Sequence, residues 1–262
     1  MRTWLRIFFR GGMFAYRGLF AWVDPRVYIP SMLGFPLFQL LFFAYVGRAA
    51  SFQDDTFYVV GNAIMNANAG AIFGTSFTIG GERWTHTLSS VLATPANRVA
   101  LFVGRALPNI VNGFFVSAFC FTAGCLLLDV SIGREQIPAL VVVVLVSTIS
   151  CAGFGLVIGS IGLRARDSVL YANLAYFGML VFCGVNVPLD DLPEWMQSIG
   201  RCLPLTHGIE AGREVAAGAT LADVQSLLAT ELFIGTIYGV LAYGLFRFFE
   251  AEGKRRASLE HA

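Results

Sequence analysis

Side chains with chemical capability are sparse in this chain and stand apart from one another. His86, His207 and His261 are scattered, each within a polar stretch, and they outline neither a metal centre nor a base beside a nucleophile. Cys120, Cys125, Cys151, Cys183 and Cys202 contain no C-x-x-C pair, and four of them lie inside apolar runs, where a thiol packs as a small hydrophobe. There is no G-x-x-x-x-G-K-[ST] loop, H-E-x-x-H helix, nucleophile elbow or dinucleotide fingerprint, so ATP binding by that loop is excluded and no enzyme class is suggested. No catalytic and no metal-ligating residue is therefore expected. No pair of carboxylates sits within an apolar run, which argues against a proton-coupled pump.

What remains is recognition. Between two long apolar runs lies the polar segment Gly81–Pro95. Read as a helix, it aligns Trp84, Leu88, Val91 and Leu92 at i, i+4, i+7 and i+8 in a narrow apolar stripe flanked by Glu82, Arg83, His86 and Ser90. Thr94-Pro95 stops it, because a residue before proline avoids helical geometry. A short rigid helix of this kind suits docking into a groove of a soluble partner; the plainer alternative is a helix lying on a membrane surface. A second polar set lies within the apolar runs: Asn62, Asn66 and Asn68, then Asn109 and Asn112, then Asn173. Amides in hydrocarbon seek partners, so interhelical hydrogen bonding is the first expectation. A substrate path lined by Asn62, Asn66 and Asn173 is the second.

These residues need an all-α membrane scaffold. Of 262 residues, 56% are hydrophobic and 13% charged, against roughly 25% charged in average soluble proteins. Six spans follow from apolar runs of about 20 residues: Val27–Val46, Phe57–Ile79, Leu107–Leu128, Ala139–Leu163, Ser168–Val187 and Leu227–Phe249. Glu231 is the exception to their lack of charge, near one end of the last. Placing the N-terminus inside puts 14 of the 18 Lys and Arg residues on the cytoplasmic face and leaves Arg48, Arg134, Arg201 and Arg213 outside. The positive-inside rule thus predicts both termini cytoplasmic. The net charge of +1 gives no pull toward nucleic acid.

Residues 1–24 read as an amphipathic interface helix. Arg2, Arg6, Arg10 and Arg17 fall on one arc, with Trp4, Phe8, Leu19 and Trp22 opposite; no compact apolar core with a cleavage site marks a signal peptide. After the fifth span, residues 188–217 predict two short outer helices. Pro188, Leu192, Pro193 and Trp195 open the segment, and Pro204 separates the helices. Residues 250–262 read as a mobile charged tail.

Two motifs carry a family resemblance. The stretch Glu82-Arg83-x-x-x-Thr87-Leu88-x-x-x-Leu92-x-Thr94-Pro95, followed by Arg98 and Gly104-Arg105, is similar to the cytoplasmic motif of ABC-2 type exporter permeases. Pro188-x-x-x-Leu192-Pro193, then Leu203-Pro204-Leu205-Thr206-His207 with Glu210 and Arg213, is similar to their extracellular motif. His86 and Ser89 depart from the family pattern, where Gly and Glu are frequent.

The resemblance implies the permease subunit of an ATP-driven exporter in a bacterial cytoplasmic membrane. Residues 81–95 would be the coupling helix, through Glu82, Arg83, Trp84, His86, Thr87, Leu88, Leu92, Thr94 and Pro95. Residues 188–217 would close an outer gate, with Pro188, Leu192, Pro193, Trp195, Pro204, Glu210 and Arg213. The partners implied are two copies of a P-loop ATPase, holding the ATP and Mg that this chain lacks, and a second permease, identical or a sister, within membrane lipid. The cargo class is drug-like, lipid-like or a glycoconjugate. An ATPase-independent channel or secondary transporter is the alternative reading. An assembly factor that recruits soluble proteins is a third, disfavoured by the outer segment.

Overall fold

A computed structural model of the chain describes residues 26, 29–84, 98–162 and 168–256. For 78–84, 98–103, 105 and 250–256 the description is of backbone alone. The predicted interface helix 1–24, residues 85–95 of the predicted coupling helix and the last residues 257–262 lie outside the described residues.

The organising element is α2, Asp55–Trp84, a helix of 30 residues and thus about 45 Å long at 1.5 Å per residue. From Phe57 to Asn68 every residue is buried. Around it stand α1 (Phe35–Ala50, entered through a π-helical turn Ile29–Gly34), α3 (Arg98–Leu128), α4 (Ile137–Gly162) and α5 (Ser168–Phe182). Two short helices follow, α6 (Glu194–Cys202) and α7 (Thr206–Ala216), and then α8 (Gln225–Arg256), which packs against α4 and α7. All the regular elements among the described residues are helical, as expected.

Helices approach closely where glycine removes the side chain. A Cβ on Gly70 would meet the Asn109 carbonyl oxygen of α3 at 2.5 Å, and one on Gly153 would meet the Gly235 carbonyl oxygen of α8 at 2.8 Å. Small residues let backbones pack when no water drives association. Buried serines supply the polar part. Ser117 donates to the Ala63 carbonyl at 2.7 Å, joining α3 to α2. Ser76 donates to the Gly155 carbonyl at 3.1 Å, joining α2 to α4. Ser150 donates to the Glu231 carbonyl at 2.6 Å, joining α4 to α8. At the end where α2 begins, Arg48 donates from Nε to both Asp55 carboxylate oxygens at 2.9 Å and from Nη2 to the Leu128 carbonyl at 3.4 Å. That end of α1, α2 and α3 is thereby tied together.

The predicted spans are met in part. Among the described residues, four helical stretches are long and apolar enough to cross a membrane: Ile29–Ala50, Ala106–Leu128, Arg134–Gly162 and Gln225–Phe249. The predicted second span, within α2, has the length without the apolarity, because its interior position lets it carry asparagines that lipid would not tolerate. The predicted fifth span is shorter than expected. Helix α5 has 15 residues, about 22 Å, and the chain leaves helical geometry from Cys183 to Val187. The tail expected from Glu250 is helical as far as Arg256.

The glycine contacts make a differential prediction. A Cβ at Gly155 would lie 2.8 Å from the Ile72 carbonyl oxygen, whereas Gly244 has open space. Gly155→Ala should cost about 1–3 kcal/mol by overpacking, and Gly244→Ala should be neutral or stabilising by up to about 1 kcal/mol from helix propensity. Thermal unfolding of the two variants in detergent checks the difference.

Candidate functional site

Side chains of unusual character gather at the end of the bundle where α2 begins, around the pair α6–α7. Gly184, at φ +73°, admits the left-handed turn that takes the chain out of α5. A 3-10 turn Leu189–Asp191 follows, and Pro193 precedes α6. Trp195 on α6 meets Phe182 edge to face, with ring centroids 6.1 Å apart. Pro204 is buried in the reversal that follows. There Leu205 holds φ 101° with no exposure, a backbone position that costs a non-glycine residue about 1–3 kcal/mol and persists only if its surroundings hold it.

What holds it is Glu231 of α8. Its side chain is 0% exposed. Oε1 accepts the Leu205 N–H at 2.6 Å and Oε2 accepts the Gly208 N–H at 3.2 Å. His207 Nδ1 lies 4.0 Å from Oε2. The N-terminal N–H groups of a helix have no partner within it and carry partial positive charge. No side chain of α7 caps them, and the carboxylate from α8 takes that place. Gly208 is required for the approach, since a Cβ there would meet the Ser147 Cβ of α4 at 3.0 Å.

The far end of α7 is braced by Arg213. Its guanidinium lies over the Phe57 ring, 3.4 Å from the centroid. Nη2 donates to the Val185 carbonyl at 2.9 Å and to the Phe57 carbonyl at 3.4 Å. Burial brings its pKa down to about 9, with Asp54 and Glu210 pulling the other way, so the group stays charged at neutral pH. Between the two ends, Ile209, Ala211 and Val215 are buried in the main core.

A cleft of about 290 Å³ opens beside this helix, with Pro188, Asp190, Arg201, His207, Glu210 and Arg213 among its walls. Burial, then the nearby Glu214 and Asp190, holds the Glu210 carboxyl above the ordinary carboxylate range. Burial and Arg201 hold His207 below its ordinary value, so it is neutral at pH 7. The cleft offers mixed charge and hydrogen-bonding groups.

Of the residues singled out in the outer segment, Pro188, Glu210 and Arg213 come together in the cleft wall. Leu192, Pro193 and Trp195 belong to the arm that carries α6, with Trp195 60% exposed. The three amides do not converge. Asn62 is fully buried and donates to Asn186 Oδ1 at 2.9 Å and to the Tyr58 carbonyl at 3.0 Å. Asn66 points its amide at the Cys120 sulfur, 3.9 Å away. Asn173, half-exposed on α5, donates to the Val169 carbonyl of its own helix at 2.8 Å. Glu82, Arg83 and Trp84 fall in the last turn of α2, continuous with the predicted span. His86, Thr87, Leu88, Leu92, Thr94 and Pro95 lie outside the described residues. Sequence reasoning did not single out Asn186 or Gly208, named Leu205 only as part of the outer motif, and took Glu231 for an end-of-span charge. The available signal was that Glu231 is the one carboxylate in the apolar run Leu227–Phe249, and ionisable groups in such runs are costly enough to need a reason.

Comparison with known proteins bears on this arrangement. The family model described as ABC-2 type transporter matches residues 14–216. Two curated Escherichia coli proteins, from strain K12 and from O157:H7, each named "Probable multidrug ABC transporter permease YbhR", are 25% identical to the chain over 202 residues. The alignment covers 74% of this chain and 53% of each relative, so the chain spans about half the length of the curated relatives it matches.

The Asn62–Asn186 pair can be weighed directly. Asn62→Ala and Asn186→Ala should each destabilise the fold by about 1–3 kcal/mol, with a coupling of about 0.5–1.5 kcal/mol between them in a double-mutant cycle. Unfolding of the two single variants and the double variant in detergent measures it. Additive effects would show that the bond contributes nothing.

Proposed function

The chain belongs to the ABC-2 type transporter family, and we propose that it is the membrane-spanning permease subunit of an ATP-driven exporter. It would carry an amphipathic, lipid-like or drug-like cargo, or a glycoconjugate, outward across a bacterial cytoplasmic membrane. Power would come from two copies of a P-loop ATPase, holding ATP and Mg, and a second permease would complete the pathway. The observation that carries the reading is the α6–α7 pair. It re-enters the end of a helical bundle beside a charged cleft, as an outer closure would, at the positions of the family's extracellular motif.

Charge supports the orientation. Arg48, Arg201 and Arg213, three of the four basic residues assigned outside, lie at the end where α2 begins, and Arg134 follows α3 by a few residues. Trp84 and the remaining basic residues then face the cytoplasm, with both termini. In this reading α2 and α5 complete six spans, α2 covered by protein where it is too polar to stand alone in lipid and α5 short, with Leu170, Leu174 and Phe177 exposed. The segment from Glu82 to Pro95 would sit on the ATPase and transmit its closure to α2 and α3, which it joins. Rigid helices running from that segment to the outer end provide the two-state packing such a switch needs. A multidrug cargo is named for the Escherichia coli relatives, and an amphipathic one is in keeping with the apolar surface here.

Purification from native membranes in mild detergent, with mass spectrometry of the co-purifying chains, tests the proposal. A P-loop ATPase in the complex is the expected result, and one or two permease species distinguish a homodimer from a heterodimer. A folded oligomer without an ATPase would turn the reading to a channel or secondary transporter. In the reconstituted complex, Leu88→Asp should lower ATP-driven export at least about tenfold, the loss of roughly 1.4 kcal/mol of coupling, while the ATPase subunit alone still hydrolyses ATP.

A further inference from the structure

Glu231 is a carboxylate with no exposure, on a helix that crosses the apolar layer, outside the segment matched by the family model. A buried carboxyl group persists where its oxygens find hydrogen-bond donors. Here both oxygens face the start of α7: Oε1 takes the Leu205 N–H and Oε2 the Gly208 N–H. The helix bearing the carboxylate is itself fixed, since Ser150 of α4 donates to the Glu231 carbonyl and Gly153 lets α4 and α8 touch.

The two ends of α7 are not equivalent. The Arg213 end is relaxed backbone, braced by the Phe57 ring and by the Val185 and Phe57 carbonyls. The Leu205 end is held in a left-handed backbone conformation, lacks a cap of its own and depends on a side chain from another helix. Thr206 Oγ1 also ties this end to α6 through the Gly200 carbonyl at 2.6 Å, but the N–H groups of Leu205 and Gly208 have their partner on α8 alone, and a strained backbone held from another element is where local opening can start.

We propose that Glu231 is the positioning residue of this closure. Its carboxylate pins the N-terminal end of α7, and the cleft opens into the bundle when that contact breaks and α7 turns about its Arg213 end. The link to export rests on the function proposed above; the contact and its local effect do not.

The test uses the full chain in lipid nanodiscs, where both faces are reachable, on a Cys202→Ser background that removes the exposed thiol. Ile209→Cys and Val215→Cys, at 1% and 0% exposure, report on the two ends of α7 through their rates of reaction with a hydrophilic maleimide. Glu231→Gln keeps the volume but turns one acceptor into a donor facing an N–H. Leaving one of these N–H groups without its acceptor should speed labelling at Ile209→Cys by about 10-fold or more and leave Val215→Cys nearly unchanged. Glu231→Asp, which keeps both carboxyl oxygens on a shorter arm, should restore most of the protection. Equal acceleration at both reporters, or none at either, would overturn the proposal. If Glu231→Gln does not fold, Glu231→Asp against the parent carries the comparison, with the same asymmetry expected at smaller size. ATP-driven export measured separately in the reconstituted complex distinguishes the two claims: its absence beside an asymmetric labelling pattern would count against the exporter and leave the positioning role standing.

Discussion

A helix that carries three asparagines within about two turns can sit at membrane depth only if protein covers every face of it. That constraint shapes α2 and, through it, the bundle. Asn62, Asn66 and Asn68 are all buried, and α1, α3, α4, α5 and α7 are the elements that cover them. Glycine and serine at the helix contacts make the coverage close enough to exclude lipid. The outward faces take the opposite composition: Phe38, Leu126 and Val240 are 71%, 77% and 68% exposed. Large exposed apolar side chains on a polar-cored bundle are what a hydrocarbon solvent selects, since lipid neither repels them nor satisfies an amide.

The same constraint explains why the short helices are re-entrant. With α5 only 15 residues long, the chain reaches its turn at Gly184 while still beside α2, and the backbone there needs partners. Asn186 finds Asn62, and the Val185 carbonyl finds Arg213. The N-terminal end of α7 lies at Glu231, which accepts the Leu205 and Gly208 N–H groups, and its other end carries Arg213, which donates to the Val185 and Phe57 carbonyls. Asn62 Oδ1, Asn186 Nδ2, His207 Nδ1 and Arg213 Nε are buried without a hydrogen-bond partner, so costly unsatisfied polar atoms stand beside the paired sets.

The cleft beside α7 sits where these sets run out. Its walls combine carboxylates, two arginines and a neutral histidine, a composition found at neither the apolar exterior nor the amide-bearing core.

Much was legible in the sequence. Low charge and long apolar runs determined an all-helical membrane protein, and the prolines placed the breaks around α6 and α7. The paired motifs around Glu82–Pro95 and Pro188–Arg213 led to the family. What sequence could not decide was which spans face lipid and which face protein, because hydropathy measures composition and not surroundings; α2 departs from expectation for that reason, and α5 because its helix ends early at Phe182. Nor could it foresee the long-range partners. Asn62 and Asn186 are 124 residues apart, and Leu205 and Glu231 are 26 apart on different elements. No periodicity links such pairs. Only the packing of α7 between α2, α4 and α8 turned an isolated carboxylate in an apolar run into the cap of another helix.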